Sequence, residues 1–240
     1  MGVSMRIFLL LIMVFLLSKN LFSITAEEII SKIDKNLTFE EGQMSITIVD
    51  IKSNKEYKNM AAVVKFKRDY ATLIEFLSPA REKGKKILMM NDNMWMYVPG
   101  VSKPVRLSGK DSFMGTSFSN RDLMDYDMAN DYSARIIEEK EEVYILELIA
   151  KNKNVSYAKI ILSVDKRLFL PVKEELYTVS GNLIKIMEFS KNKDFNGKVR
   201  PSEIFVKDFL TEGAMTKVFV NNMEEKKYEK TIFSPQNLSR

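Results

Sequence analysis

Hydrophobic positions fall into three successive regimes along the chain. The first is an unbroken apolar run, Ile7 to Leu17, behind a short start with one positive charge at Arg6 and ahead of the polar patch Ser18-Lys19-Asn20. A basic start, an apolar run of about 7–15 residues and a small residue near the end are the layout of a secretory signal peptide. The run also falls short of the roughly 20 apolar residues of a membrane span. Cleavage is expected after Ser23, which makes the mature protein an exported one; an uncleaved N-terminal anchor is the alternative. The second regime has a period of 3.6. Ala26, Ile29, Ile30, Ile33 and Leu37 form one stripe of a helix, with Glu27, Ser31, Lys32 and Lys35 off it. Thr25 and Glu28 supply a T-x-x-E capping box, in which each side chain accepts the other residue's free N–H. Such a helix either packs on a core or acts as a lid over apolar surface.

From Met44 the period drops to two. Met44, Ile46 and Ile48 alternate with Ser45, Thr47 and Val49, and Ala62, Val64 and Phe66 with Val63, Lys65 and Lys67. Thr72, Ile74 and Phe76 follow a turn at Arg68-Asp69-Tyr70. Lys85 to Met90 and Met94 to Val98 flank Asn91-Asp92-Asn93, and Val101 to Leu107 extends the run. The second half continues with Ser133–Glu138, Val143–Ala150, Tyr157–Val164, Pro171–Val179, Leu183–Ser190, Pro201–Phe209 and Ala214–Val220. Hairpins at this spacing predict an antiparallel sheet or barrel rather than βαβ units. The expected fold is mainly β (α+β): a half-open antiparallel β-barrel of about 10–11 strands in one domain over 24–240, after a signal peptide over 1–23.

One segment breaks the alternation, SGKDSFMGTSFSNRDLMDYDMAND between Leu107 and Tyr132. Ser119 and Asp122 make a second capping box and begin a short helix through Leu123, Met124 and Tyr126. Phe113, Met114 and Phe118 precede it, and large apolar residues in a polar loop must be buried against something. The segment is either a plug on one end of the sheet or a mobile flap over a cavity.

Composition narrows the chemistry. The chain has no His and no Cys. That removes Ser-His-Asp and Cys-His catalysis, His- or Cys-ligated metals, disulfides and thiol redox. Nine Gly are too sparse for a phosphate-cradling loop, and no cofactor is expected. A net charge of +5, with both signs mixed, argues against a nucleic-acid partner. Catalysis would have to rest on carboxylate pairs, Asp122 with Asp125 or Asp125 with Asp127, and no second motif supports them; the expectation is a protein that is not an enzyme.

Taken together, the helix, the hairpin VVKFKRDYATLIEFLSP, the hairpin KKILMMNDNMWMYVPGVSKPVRL, the segment FMGTSFSNRDL and the terminal IFSPQNL resemble the LolA-like, outer-membrane lipoprotein-sorting family. The resemblance implies a periplasmic protein whose half-barrel binds acyl chains of lipoproteins or lipids in an apolar cavity under helical lids. Its partners would be membrane-associated donor and acceptor proteins. We assign Ile46, Val64, Phe66, Ile74, Phe76, Met90, Trp95 and Tyr97 to the cavity lining. The lid and flap are assigned Ile29, Ile30, Ile33, Phe113, Met114, Phe118 and Leu123. In the family an Arg in a K-R-P turn helps set the lid's closed state. Arg68 stands at the matching turn, with Asp69 in place of the Pro. Met89, Met90, Met94, Met96 and Met114 gather around the expected mouth, where flexible thioethers suit varied shapes. Rival readings are an envelope sensor and an accessory subunit of an envelope transporter built on the same barrel.

Overall fold

The computed structural model describes residues 24–239 other than 38, 54, 92, 124–127, 153 and 154. The expected signal peptide and cleavage point lie outside the described residues, as do Met124, Asp125, Tyr126 and Asp127. Helix α1 (Ala26–Leu37) starts on the expected box: Thr25 N donates to Glu28 Oε2 at 3.0 Å, and Glu28 N donates to Thr25 Oγ1 at 3.2 Å.

The strands are β1 (Glu41–Lys52), β2 (Lys55–Lys67), β3 (Ala71–Ser78), β4 (Lys86–Met90), β5 (Asn93–Tyr97), β6 (Val105–Leu107), β7 (Tyr132–Glu139), β8 (Val143–Ala150), β9 (Lys159–Asp165), β10 (Pro171–Tyr177), β11 (Leu183–Phe195), β12 (Lys198–Asp208) and β13 (Met215–Glu225). They form one antiparallel sheet of thirteen strands in the order β6-β5-β4-β3-β2-β1-β13-β12-β11-β10-β9-β8-β7. The first and last strands pair, and β6 and β7 are left as the two edges, so the sheet curls without closing. The count exceeds the ten or eleven expected. Strand β6 keeps only Val105–Leu107 of the expected Val101 to Leu107, yet it is still a separate member of the ladder.

Curvature has local causes. Register shifts at Ser45/Ile46, Asp50/Ile51 and Ala61/Ala62 on β1 and β2, and at Ile136/Glu138, Pro171/Lys173 and Leu176/Tyr177 on β7 and β10, mark irregularities in the ladder, and a bulge bends its strand and increases twist. Gly42 lets β1 approach β13 closely: a Cβ there would lie 2.5 Å from the Glu224 carbonyl oxygen. Asn196 and Gly197 both take positive φ in the tight turn between β11 and β12, the conformation that Asn-Gly adopts most readily.

The sheet buries both faces. The inner, larger core joins α1 through Ile29, Ile30 and Ile33 to Ile46, Val64, Phe66, Ile74 and Phe76 and to Leu146, Leu148, Ile160 and Leu162 of the far half. On the outer face a smaller cluster forms where the C-terminal segment, through Phe233 and Leu238, covers Ala71, Leu73 and Leu88.

Candidate functional site

The inner apolar face is the first component of the site. Ile46, Val64, Phe66, Ile74 and Phe76 lie on it with Ile87, Met89 and Met94, all in one buried cluster with the α1 isoleucines. Met90, Trp95 and Tyr97 do not. They pack on the outer face with Tyr70, Tyr228 and Ile232. The register explains the correction. Ile74 faces inward and pairs with Ile87; Ile87 pairs with Met96 and Met89 with Met94, so the alternate pair Leu88–Trp95 must point outward. Residues apolar on both faces, as in KILMM and NMWMY, carry no sequence signal for which face is which. Of the five methionines, Met90 thus lies apart from the expected mouth.

The segment 108–123 is the second component. Phe113 and Phe118 are buried in the inner core, with Met114 and Leu123 packed against it, and the Phe113 ring centroid lies 6.1 Å from that of Phe76. Polar ties fix the segment to both halves of the sheet. Lys58 Nζ on β2 donates to the Met114 carbonyl at 3.0 Å and lies 3.1 Å from Glu82 Oε1. Ser117 N donates to Thr216 Oγ1 at 2.9 Å, and that hydroxyl donates to Asp50 Oδ1 at 2.9 Å. Burial pushes the Asp50 carboxyl above its ordinary range. Burial also acts upward on Glu82, but its bonds to Lys85 and Lys58 outweigh this and hold it low.

On the other half the tie is Asp122. The second capping box forms, with Ser119 N donating to Asp122 Oδ2 at 2.8 Å and Asp122 N to Ser119 Oγ at 3.3 Å, and it opens a 3-10 turn over Asn120–Leu123. The same carboxylate accepts from Tyr157 OH at 2.5 Å and from Lys185 Nζ at 2.5 Å. With both oxygens engaged and the side chain fully buried, Asp122 is a structural latch. Its proposed catalytic partner Asp125 lies outside the described residues. Glu174 on β10 is the fourth member. Burial, and then the negative charge of Asp122, raise its carboxyl to about 7. Tyr157 is likewise pushed up by burial and by Asp122.

Lys185, Tyr157 and Glu174 were not among the expected site residues. Their only signal is parity: Lys185 alternates with Met187 on the inward face of β11. Between this latch and the ends of β11 and β12 lies a cavity of about 730 Å³ with a hydroxyl-rich wall that includes Ser108, Ser112, Ser119, Tyr157, Lys185 and Asp208.

A family model described as "Uncharacterized protein" matches residues 68–240. A LolA superfamily protein from Nitrosomonas europaea superposes with a TM-score of 0.78 at 27% identity, covering 88% of this chain and 98% of its own. The chain belongs to the family of that model, and its fold is LolA-like. The LolA-like fold is also shared with a DUF1329 family protein from Desulfovibrio piger, with a TM-score of 0.79, 23% identity and coverage of 87% and 95%. A domain named for outer-membrane lipoprotein sorting, from Vibrio parahaemolyticus, gives a TM-score of 0.79 at 22% identity, covering 89% and 98%. No curated protein matches the chain. In this LolA-like chain Arg68 sits at the β2–β3 turn. Its backbone N donates to the Glu40 carbonyl at 2.8 Å, and its Nε lies 3.5 Å from Glu40 Oε1. Glu40 belongs to the short link between α1 and β1, so Arg68 contacts that link rather than the apolar stripe of α1.

Proposed function

We propose that the protein is a non-enzymatic carrier or chaperone that takes acyl chains of lipoproteins or lipids onto the inner apolar face. It would act in the periplasm and pass cargo between inner and outer membrane through membrane-associated donor and acceptor proteins. One observation carries this reading: the inner face is closed by α1 and by segment 108–123, two short elements outside the sheet, rather than by the sheet itself. An acyl chain gains roughly 0.8 kcal/mol per buried CH₂. The isoleucines of α1 cover the same surface, so lid and ligand compete, and that competition allows release. In this scheme Arg68, bound to the α1–β1 link, sets where the lid hinges.

Native mass spectrometry of the mature protein with a triacylated lipopeptide tests the scheme. One lipopeptide per protein is expected. Ile30→Ala weakens the lid's hold on the apolar face and is expected to increase uptake several-fold. Trp95→Ala, on the outer face, is expected to leave uptake unchanged. Absence of uptake by wild type and Ile30→Ala alike, in folded protein, would sink the carrier reading.

A further inference from the structure

Strands β12 and β13 part company at one end of the sheet. Their ladder ends at Glu203–Phe219, while β11–β12 pairing runs on to Phe195–Lys198 and β1–β13 pairing to Gly42–Glu225. Pro201, which has no N–H to donate, lies in the parted stretch. Side chains span the gap instead: Lys193 Nζ reaches the Asn221 carbonyl at 3.4 Å, and Asn196 Nδ2 the Met223 carbonyl at 3.2 Å.

Arg200 stands in this fork, on the same face as Ile204 and Val206 of the inner core. It is only 8% exposed. Among the described residues its side chain's one hydrogen bond is from Nη1 to the thioether of Met223 at 3.7 Å, and its buried Nε has no partner. Sulfur is a weak acceptor. Among the described residues no carboxylate pairs with it. The neighbouring acid in the hairpin, Asp194, caps the turn by accepting from Gly197 N at 2.6 Å. The surrounding segment KNKDFNGKVR adds Lys191, Lys193 and Lys198, so the local charge is positive. Burial alone pulls the guanidinium down to about 10, which leaves it charged at neutral pH. A buried cation without a counter-ion is strongly unfavourable, and the planar fork of Arg matches the oxygens of a carboxylate or phosphate.

We propose that Arg200 is the binding site for an anionic oxygen-bearing group, the phosphate or carboxylate head of an amphiphile whose tail lies along the inner apolar face. The tail half of this inference rests on the carrier reading; the anion half rests on Arg200 alone.

Calorimetric titration of the mature protein with decyl phosphate, decanol and inorganic phosphate separates the two. Decyl phosphate is expected to bind and to lose at least about tenfold in affinity in Arg200→Met. Decanol is expected to bind equally to both forms, and Arg200→Lys to retain part of the affinity. Inorganic phosphate binding that disappears in Arg200→Met would assign the site to a free anion as well. Phosphate binding with no uptake of decyl phosphate or decanol would uphold the anion site and reject the carrier. Equal binding of decyl phosphate by wild type and Arg200→Met would overturn the proposal. Melting without ligand guards against misfolding: Arg200→Met removes an unpaired charge and is expected to melt no lower than wild type. A clear drop would mark Arg200 as structural and count against the site.

Discussion

Asp122 shows how a residue can be legible in type and missed in role. The S-x-x-D spacing marked it as a cap, and the cap forms. What the spacing could not give is that the same carboxylate anchors Tyr157, just ahead of β9, and Lys185 on β11, 35 and 63 residues away. A lysine between two isoleucines reads as an exposed strand residue unless the inward face is already known, and that face is set by register. The pair is buried, with side-chain exposures of 8% for Lys185 and 0% for Asp122. Breaking it from one side leaves a buried uncompensated charge, which costs about 3–5 kcal/mol. Lys185→Met and Asp122→Asn should each destabilise by about that amount in urea unfolding. The double variant should recover much of the loss, because neither charge is then left alone. Single and double losses that simply add would show that the two groups do not act as a pair.

At the scale of elements, segment 108–123 is tied to the sheet at several points. Its ties to β2 and β13 run through Lys58 and Thr216, and the second gives a clean test. Thr216→Val keeps the shape but removes the acceptor for Ser117 N and the donor to Asp50. An unsatisfied buried polar group costs about 1–3 kcal/mol. Amide exchange of residues 113–118 should accelerate at least about tenfold, while Leu146 and Leu148 in the core keep their protection. Uniform acceleration across the chain would mean that the tie holds the whole fold rather than the segment. Elements were the most readable scale in the sequence. The α1 stripe and its box and the turns at Asn91 and Gly181 appear where the pattern put them, and so do most of the period-two strands; residues 101–104 and 157–158, expected as strand, stay outside the strands. Two things were not readable. The stretch 191–194 extends β11 to the buried Phe195 although it is polar on both faces, so no alternation announced it. Trp95 and Tyr97 alternate with methionines, so both faces looked alike, and only pairing with β4 puts the aromatic rings outside.

For the whole molecule, the groups displaced from their ordinary titration ranges act in separate pH windows. Glu41 is held low by its bonds to Lys67 and Tyr228, and Glu175 by its bonds to Lys173 and Tyr177. Stability from such depressed carboxyls is present above their ordinary range and is lost as pH falls through the folded value. Glu174 runs the other way. Its folded value of about 7 lies above its ordinary 4.5, so the folded protein holds a proton that the unfolded chain has released. The stability linked to that proton is complete below pH 4.5, declines as pH rises through 7, and is gone above it. At 1.36 kcal/mol per unit the whole effect is about 3 kcal/mol. Asp50 is also raised, so a single wild-type profile mixes contributions, and the difference from Glu174→Gln isolates the one that matters. Glutamine keeps the size of the neutral acid and cannot titrate. Urea unfolding at pH 5, 6, 7 and 8 should show wild type losing stability relative to Glu174→Gln by about 2–3 kcal/mol, most of it below pH 7. Parallel profiles would place the Glu174 carboxyl in contact with water and remove it from the latch. A diverging pair would tie the latch to pH, because ionised Glu174 sets a second negative charge beside the Asp122 carboxylate that Lys185 alone must balance.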